Sequence, residues 1–219
     1  MTELVDSGSL WSATKTFFPL FVAHLEKRVT GGRVLVVGAS DGKFVIPLAR
    51  RGWHVTAVEV DTTAIRGGRV SLPDNALGPI HTPGLITRLS ESGLSERVDV
   101  IEADVRELSF GRTFDAAFTS CSWHYSRNGD RPVATFVTAM AEAVKGGGLF
   151  CAEYMMPVSV DHFTTDRYMV EGQLRHQFST RDWLVLEEFY TSPFVEAKHI
   201  GVVKDHVHRM GLFLAERVA

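Results

Sequence analysis

The stretch RVLVVGASDGKFVIPLARRGWHVTAVEVD, residues 33–61, decides the fold. RVLVVG is a short apolar run of the kind that forms a strand buried on both faces, and HVTAVEV is a second such run. Between them GKFVIPLARRG reads as a helix closed by Gly52, with Pro47 inside it forgoing a bond to the Lys43 carbonyl. Strand, helix and strand at this spacing make a βαβ unit whose two strands run parallel.

The same rhythm continues outward. A helix beginning near Thr62 is soon interrupted by SLPDNALGPIHTPG, where Pro73, Pro79 and Pro83 exclude regular helix, so this stretch reads as an inserted loop. LITRLSESG is then a helix, VDVIEAD a third strand and FDAAFTSC a fourth. PVATFVTAMAEAVKGGG is a helix stopped by three glycines, and LFCAEYMM a fifth strand. Alternation of this kind predicts a single-domain open α/β sheet with right-handed crossovers. Near the end MVEGQLRHQF looks helical, while WLVLEEFY and HVHRMGLFLAER read as two strands joined by a connection too short for a crossover helix, hence antiparallel.

The totals narrow the function. A chain of 219 residues, 45% hydrophobic, buries a proper core as one domain. A net charge of −3 without any Lys/Arg run weighs against a large polyanionic partner and favours a small substrate. Cys121 and Cys151 show neither metal-ligand nor disulfide-framework spacing, which suits a reducing compartment. The first thirty residues lack the pattern of a signal peptide, and no apolar run approaches the roughly 20 residues of a membrane span. A soluble, cytoplasmic protein is expected, with its oligomeric state unreadable.

In an open α/β sheet ligands bind beyond the carboxyl ends of the strands, beside the first βα turn. That turn, Gly38-Ala39-Ser40-Asp41-Gly42, lacks the second and third glycines of a dinucleotide fingerprint, and Asp41 places a carboxylate where a phosphate would sit. The turn therefore suits an uncharged or cationic nucleoside. Glu59 ends the second strand, 59 − 42 = 17 residues past Gly42, and can accept from both ribose hydroxyls. Asp104 can accept from an exocyclic adenine amine, and the Val105 N–H can donate to the neighbouring ring nitrogen. Val60 and Ser120, at the same sheet edge, complete the candidate cofactor set. The glycines have a plainer reading as steric relief, and Asp41 one as a helix N-terminal charge.

VLVVGASDG, VTAVEVD, VIEADVREL and FDAAFTSCSWHY stand in the order found in the class I S-adenosylmethionine-dependent methyltransferases, which this chain resembles from residue 33 to its end. The resemblance implies a Rossmann-like, seven-stranded, mostly parallel sheet with an antiparallel last strand and helices on both faces. It implies S-adenosyl-L-methionine as cofactor, S-adenosyl-L-homocysteine as product, and residues 1–30 as a helical lid on a cofactor-binding domain of residues 31–219. The C-terminal part looks like the tellurite-resistance and thiopurine type of small-molecule methyltransferase. Val36 and Ser40 depart from the family, which usually carries an acidic residue and a glycine there; Asp41 is the nearest carboxylate that could compensate.

Methyl transfer from a sulfonium needs little beyond proximity and an acceptor lone pair. His124, in SCSWHYSRNGD after the fourth strand, has the ordinary pKa of a base, and Trp123 and Tyr125 are placed to wall a pocket. The plainer reading makes His124 a turn residue and the aromatics sheet packing. His206 and His208 share a face of the last strand, with His199 before them; solvent exposure, pocket lining and zinc binding are all open. The candidate catalytic residues are thus His124, Tyr125 and His206, and no metal ligand is assigned. Trp11, Phe17 and Phe18 either cross the cofactor or cover a sheet face, and the loops 71–84 and 156–168 are candidates for substrate contacts. The function expected is methyl transfer to an O, N, S or chalcogen nucleophile. A non-methylating enzyme using the same cofactor, such as a cyclase, and a non-catalytic binding protein are the alternatives.

Overall fold

A computed structural model describes residues 4–28, 31–73, 78–125, 131–164, 167–200 and 202–218. Among the described residues there are eleven strands: β1 (Arg33–Val37), β2 (His54–Glu59), β3 (Gly68–Val70), β4 (Ile80–Thr82), β5 (Val98–Glu102), β6 (Phe114–Ser120), β7 (Val144–Met155), β8 (Trp183–Tyr190), β9 (Phe194–Glu196), β10 (His206–His208) and β11 (Met210–Arg217). The helices are α1 (Phe18–Glu26), α2 (Val45–Arg50), α3 (Thr62–Arg66), α4 (Leu85–Glu91) and α5 (Val133–Ala143).

Seven strands form one sheet in the order β5-β2-β1-β6-β7-β11-β8. All pairs are parallel except those of β11, which runs antiparallel to both β7 and β8. This is the seven-stranded sheet expected. Alternation along each strand builds two cores. Val34 and Val36 of β1 join Phe118, Cys151 and Leu214 under α1, α2 and α4, whereas Leu35 and Val37 join Ala117, Phe150 and Phe213 under α5. Helices therefore cover both faces. Phe18, Phe21, Val22 and Leu25 of α1 are buried on the first face, a stripe at helical spacing that fixes the helix to the sheet.

Several local expectations need correction. Pro47 sits in the first turn of α2 and not its interior, because regular helix begins only at Val45. The glycines after α5 do not stop it. The helix ends at Ala143, and Gly146, Gly147 and Gly148 lie inside β7, where the register against β6 jumps from Phe114↔Val144 to Ala116↔Leu149. Gly147 has φ 73°, and a Cβ on Gly148 would press on the Asp115 carbonyl, so the glycines permit a bulge. The insertion after α3 is an antiparallel ribbon, β3 with β4, though residues 74–77 lie outside the described residues. The helix expected around residues 169–178 shrinks to a 3-10 turn at Leu174–Gln177, after Gly172 takes φ 74°. The last strand is broken: β10 pairs with β9 in a ribbon of its own, and only β11 enters the sheet. His206 and His208 therefore belong to that ribbon.

Candidate functional site

A cavity of about 480 Å³ opens at the carboxyl ends of β1, β2, β5 and β6. That volume lies within the usual range for a small-molecule site. By the order of the sheet, it runs from Glu59 and Asp104 past the β1 turn to Cys121, Met155 and Met210 at the ends of β6, β7 and β11. The segment before α1 contributes Leu10, Trp11, Thr14 and Lys15 to its wall.

Gly38 and Ala39 both direct their N–H groups to the Val58 carbonyl, which fastens the first turn to the end of β2. Gly38 has φ 73°, and a Cβ there would fall on Ser122 Oγ, which itself donates to the Val37 carbonyl at 2.9 Å. The glycine thus makes room for a neighbouring turn. Ser40 adopts φ 49°, a left-handed conformation that glycine takes without steric cost. Glu59 accepts from the Ser40 N–H at 2.8 Å on one oxygen and from the Val60 and Asp61 N–H groups at 2.8 and 2.9 Å on the other. Three of about four lone-pair directions are thereby occupied, so the carboxylate is rigid and keeps capacity for one further donor.

Asp104 precedes a 3-10 turn at Val105–Glu107 and accepts from the Arg106 N–H at 2.9 Å, while the Arg106 guanidinium pairs with both its oxygens. The Val105 N–H, at the first position of that turn, has no intrahelical acceptor. Val60 and Ser120 line the cavity with them.

Asp41 is directed elsewhere. It is 4% exposed, and its two oxygens accept from Ser9 Oγ at 2.6 Å and the Leu10 N–H at 2.7 Å. Arg88 reaches both the Asp41 carbonyl and Asp6. The carboxylate ties the N-terminal segment to the turn after β1. Of the aromatics in that segment, Trp11 borders the cavity, Phe18 is core, and Phe17 packs edge-on against Phe189.

Two charged residues that the sequence reading passed over support the same segment. Glu153, 0% exposed near the carboxyl end of β7, accepts from Thr16 Oγ1 at 2.7 Å, the Phe17 N–H at 2.5 Å and Ser120 Oγ at 2.6 Å. Burial pushes its carboxyl up. Lys43 donates to the Thr14 carbonyl and hydroxyl at 3.0 and 2.7 Å, and burial lowers its pKa against the pull of Glu153. The available signal was a lone carboxylate inside the apolar run LFCAEYMM, where an unpartnered charge would be costly.

The catalytic candidates lie on two supports, the turn after β6 and the β9–β10 ribbon. His124 is in the 3-10 turn Ser122–Tyr125 and does not border the cavity; its Nε2 is 3.2 Å from Tyr168 Oη. Burial, then the charges of Arg167, His208 and His162, lowers its pKa to about 4, so the ring is neutral at pH 7. The Tyr125 side chain lies outside the described residues. Trp123 does not border the cavity: it is 1% exposed in the α5 core against Phe136 and Tyr154, and donates to the Arg167 carbonyl. His206 faces Glu196 across the β9–β10 ribbon.

Five carboxylates line the cavity against two lysines, Lys15 and Lys43. Such a lining repels pyrophosphate and suits a cationic nucleoside. A family model described as the methyltransferase domain matches residues 35–152, more than half the chain. The chain belongs to the class I S-adenosylmethionine-dependent methyltransferases. The cofactor of these enzymes is S-adenosyl-L-methionine, and the acidic cavity with its rigid Glu59 fits that cation. No match was found among curated proteins.

Solved structures share this fold. TehB from Haemophilus influenzae matches with TM-score 0.63 at 16% identity, over 90% of this chain and 61% of that one. The [4+2]-cyclase SpnF matches with TM-score 0.60 at 16% identity, over 92% and 82%. The Burkholderia thailandensis 1,6-didemethyltoxoflavin-N1-methyltransferase, solved with 1,6-didemethyltoxoflavin and S-adenosylhomocysteine, matches with TM-score 0.60 at 17% identity, over 92% and 76%. No helix among the described residues is long and apolar enough to cross a membrane.

Proposed function

We propose that this chain transfers a methyl group from S-adenosyl-L-methionine to a small-molecule nucleophile and releases S-adenosyl-L-homocysteine. The observation that carries the reading is the continuous acidic cavity spanning the strand ends from Glu59 to Met210. It gives one ligand a fixed carboxylate at one end and apolar walls of Met155, Met210 and Cys121 at the other. Glu59 accepts from the ribose, and Asp104 with the Val105 N–H holds adenine. Gly38, Ala39, Ser40 and Gly42 shape the turn beneath, while Val60 and Ser120 flank it. Held by these residues, the cofactor would supply an electrophilic methyl carbon, with its sulfur keeping the electron pair of the S–CH3 bond as the acceptor lone pair bonds to carbon. The chain's part is orientation and exclusion of water by the strap of Leu10, Trp11, Thr14 and Lys15.

An acceptor that arrives with a lone pair needs no base. For one that carries a proton, His124 and Tyr125 after β6 and His206 on the ribbon are the candidates, although neither imidazole borders the cavity directly. Unchanged turnover in both His124→Ala and His206→Ala would remove the imidazoles from that role.

A specific observation favours a second reading, a non-methylating reaction on the same cofactor. Asp41, the carboxylate nearest the methionine end, is held by Ser9 and Leu10, and Val36 is apolar and buried. Mass spectrometry separates the two. Incubation with thiol, amine, hydroxyl and chalcogen acceptors is expected to yield S-adenosyl-L-homocysteine and a methylated acceptor in equal amounts. Any other nucleoside product, or an unconsumed cofactor, overturns methyl transfer.

A further inference from the structure

Glu196 of β9, His206 and His208 of β10 and His199 of the connection between them converge, with one potential ligand atom from each within 4.8 Å of all the others. The antiparallel register sets His206 opposite Glu196, and strand alternation turns Val207 outward while its two histidine neighbours face inward. His199 Nδ1 lies 2.9 Å from the Ile200 carbonyl, and His206 Nδ1 lies 3.0 Å from the Lys204 carbonyl. A carbonyl only accepts, so each of these Nδ1 atoms carries the hydrogen, and in the neutral ring Nε2 presents a lone pair.

Those lone pairs meet a carboxylate. Glu196 Oε2 is 3.5 Å from His199 Nε2, 3.9 Å from His206 Nε2 and 3.0 Å from His208 Nε2. The Nε2 atoms of His206 and His208 are buried; that of His206 makes no hydrogen bond, whereas that of His208 lies within hydrogen-bond distance of the carboxylate. With the rings neutral, the Nε2 lone pairs of His199 and His206 and the Glu196 oxygen face one another without a hydrogen between them, an arrangement that is repulsive until a proton or a metal cation enters. The other Glu196 oxygen accepts from the Lys15 N–H at 3.0 Å, which fixes the carboxylate's orientation.

We propose that Glu196, His199, His206 and His208 form a binding site for one divalent transition-metal ion of the zinc type. With ligand bonds of about 2.0 Å, the edges of a tetrahedron are roughly 3.3 Å, and the three Nε2 to Oε2 distances bracket that value. Imidazole-rich ligation selects zinc, copper, iron or nickel over magnesium and calcium. Hydrogen bonds from Nδ1 to backbone carbonyls, and from a backbone N–H to the second carboxylate oxygen, are the outer support that metal-bound histidine and carboxylate require. No single segment of the sequence assigns this set, since its members come from both strands of the ribbon and its connection. Glu196 and His199 also border the cavity beside Met210. If the proposed function holds, the ion stands at the acceptor end, where it would bind an anionic oxygen or sulfur of the substrate.

The test uses the untagged chain, stripped with chelator and titrated with Co2+ by visible absorption, then with Zn2+ against a chromophoric chelator. One Co2+ per chain with d–d bands is expected, displaced by one equivalent of Zn2+. His206→Ala and His208→Ala are each expected to weaken binding by about 100-fold or more while S-adenosyl-L-homocysteine binding and thermal melting show the fold intact. Substoichiometric Co2+ without d–d bands overturns the site, as does binding that persists in the His206→Ala/His208→Ala double variant. Turnover is not measured, so a failure of the methyl-transfer reading leaves this result unaffected.

Discussion

Replacing Asp41 by alanine separates two roles for one carboxylate. Its oxygens accept from Ser9 Oγ and the Leu10 N–H, both charge-assisted, and Arg88 Nη1 lies 3.3 Å away. Hydrogen bonds to a charged group are each worth about 1.5–3 kcal/mol net, and two on one carboxylate do not add fully. Part of the loss is recovered because the freed Leu10 N–H, which is only partly buried, finds water. Asp41→Ala is therefore expected to lower unfolding free energy by about 3 kcal/mol, which at a urea slope of about 2 kcal/mol/M moves the midpoint down by about 1.5 M. Detachment of the segment removes Leu10, Trp11, Thr14 and Lys15 from the cavity wall. A loss of about 1.4 kcal/mol in contacts to S-adenosyl-L-homocysteine is a tenfold rise in Kd, measurable by titration calorimetry. Ser9→Ala breaks one of the two bonds without touching the turn, and is expected to shift both quantities in the same direction by about half as much. If Asp41→Ala leaves the urea midpoint unchanged while ligand affinity collapses, and Ser9→Ala does nothing, the carboxylate is a ligand contact and the strap argument is wrong.

Three further outcomes follow from the same geometry. Gly38→Ala is expected to displace Ser122 from the Val37 carbonyl and to destabilise the chain by about 2 kcal/mol, through overpacking and a left-handed backbone; a Gly38→Ala/Ser122→Gly double variant should recover part of this in urea unfolding. Glu153→Ala strips the acceptor from the Phe17 N–H and two hydroxyls at a fully buried position, with an expected loss of about 3 kcal/mol or more, whereas Glu153→Gln, still able to accept from Phe17 and donate to Ser120, should lose markedly less. The His124 pKa is depressed to about 4 from an unfolded value of 6.5, so its contribution to stability is complete above pH 6.5 and is lost as pH falls towards 4. His124→Gln should flatten the dependence of Tm on pH in that window; an unaltered slope would mean that His124 is not the group titrating there.

The order of elements, the central parallel strands and the ends of the strands were legible because they are recorded locally. Runs such as VLVV and VTAVEV fix strands buried on both faces, and the strand-to-helix turns fix where Glu59 and Asp104 stand. Local periodicity was misleading where glycine or a chain reversal intervened. Gly147 and Gly148 bulge a strand that they were expected to precede, and the run HVHRMGLFLAER, continuous in sequence, divides between a ribbon and the sheet.

By itself, then, the sequence determined the run of strands and helices of the α/β sheet and the strand ends that carry Glu59 and Asp104, since periodicity reports which face of an element a residue occupies. Only the tertiary structure decided the partners of the polar side chains. Asp41 meets Ser9 across 32 positions, Glu153 meets Phe17 across 136, and Lys15 reaches Glu196 across 181. A period of two or 3.6 residues carries no information about contacts at those separations. They follow from closing the sheet, which brings the N-terminal segment, the end of β7 and the histidine ribbon to one edge, where each buried charge must find its counterpart.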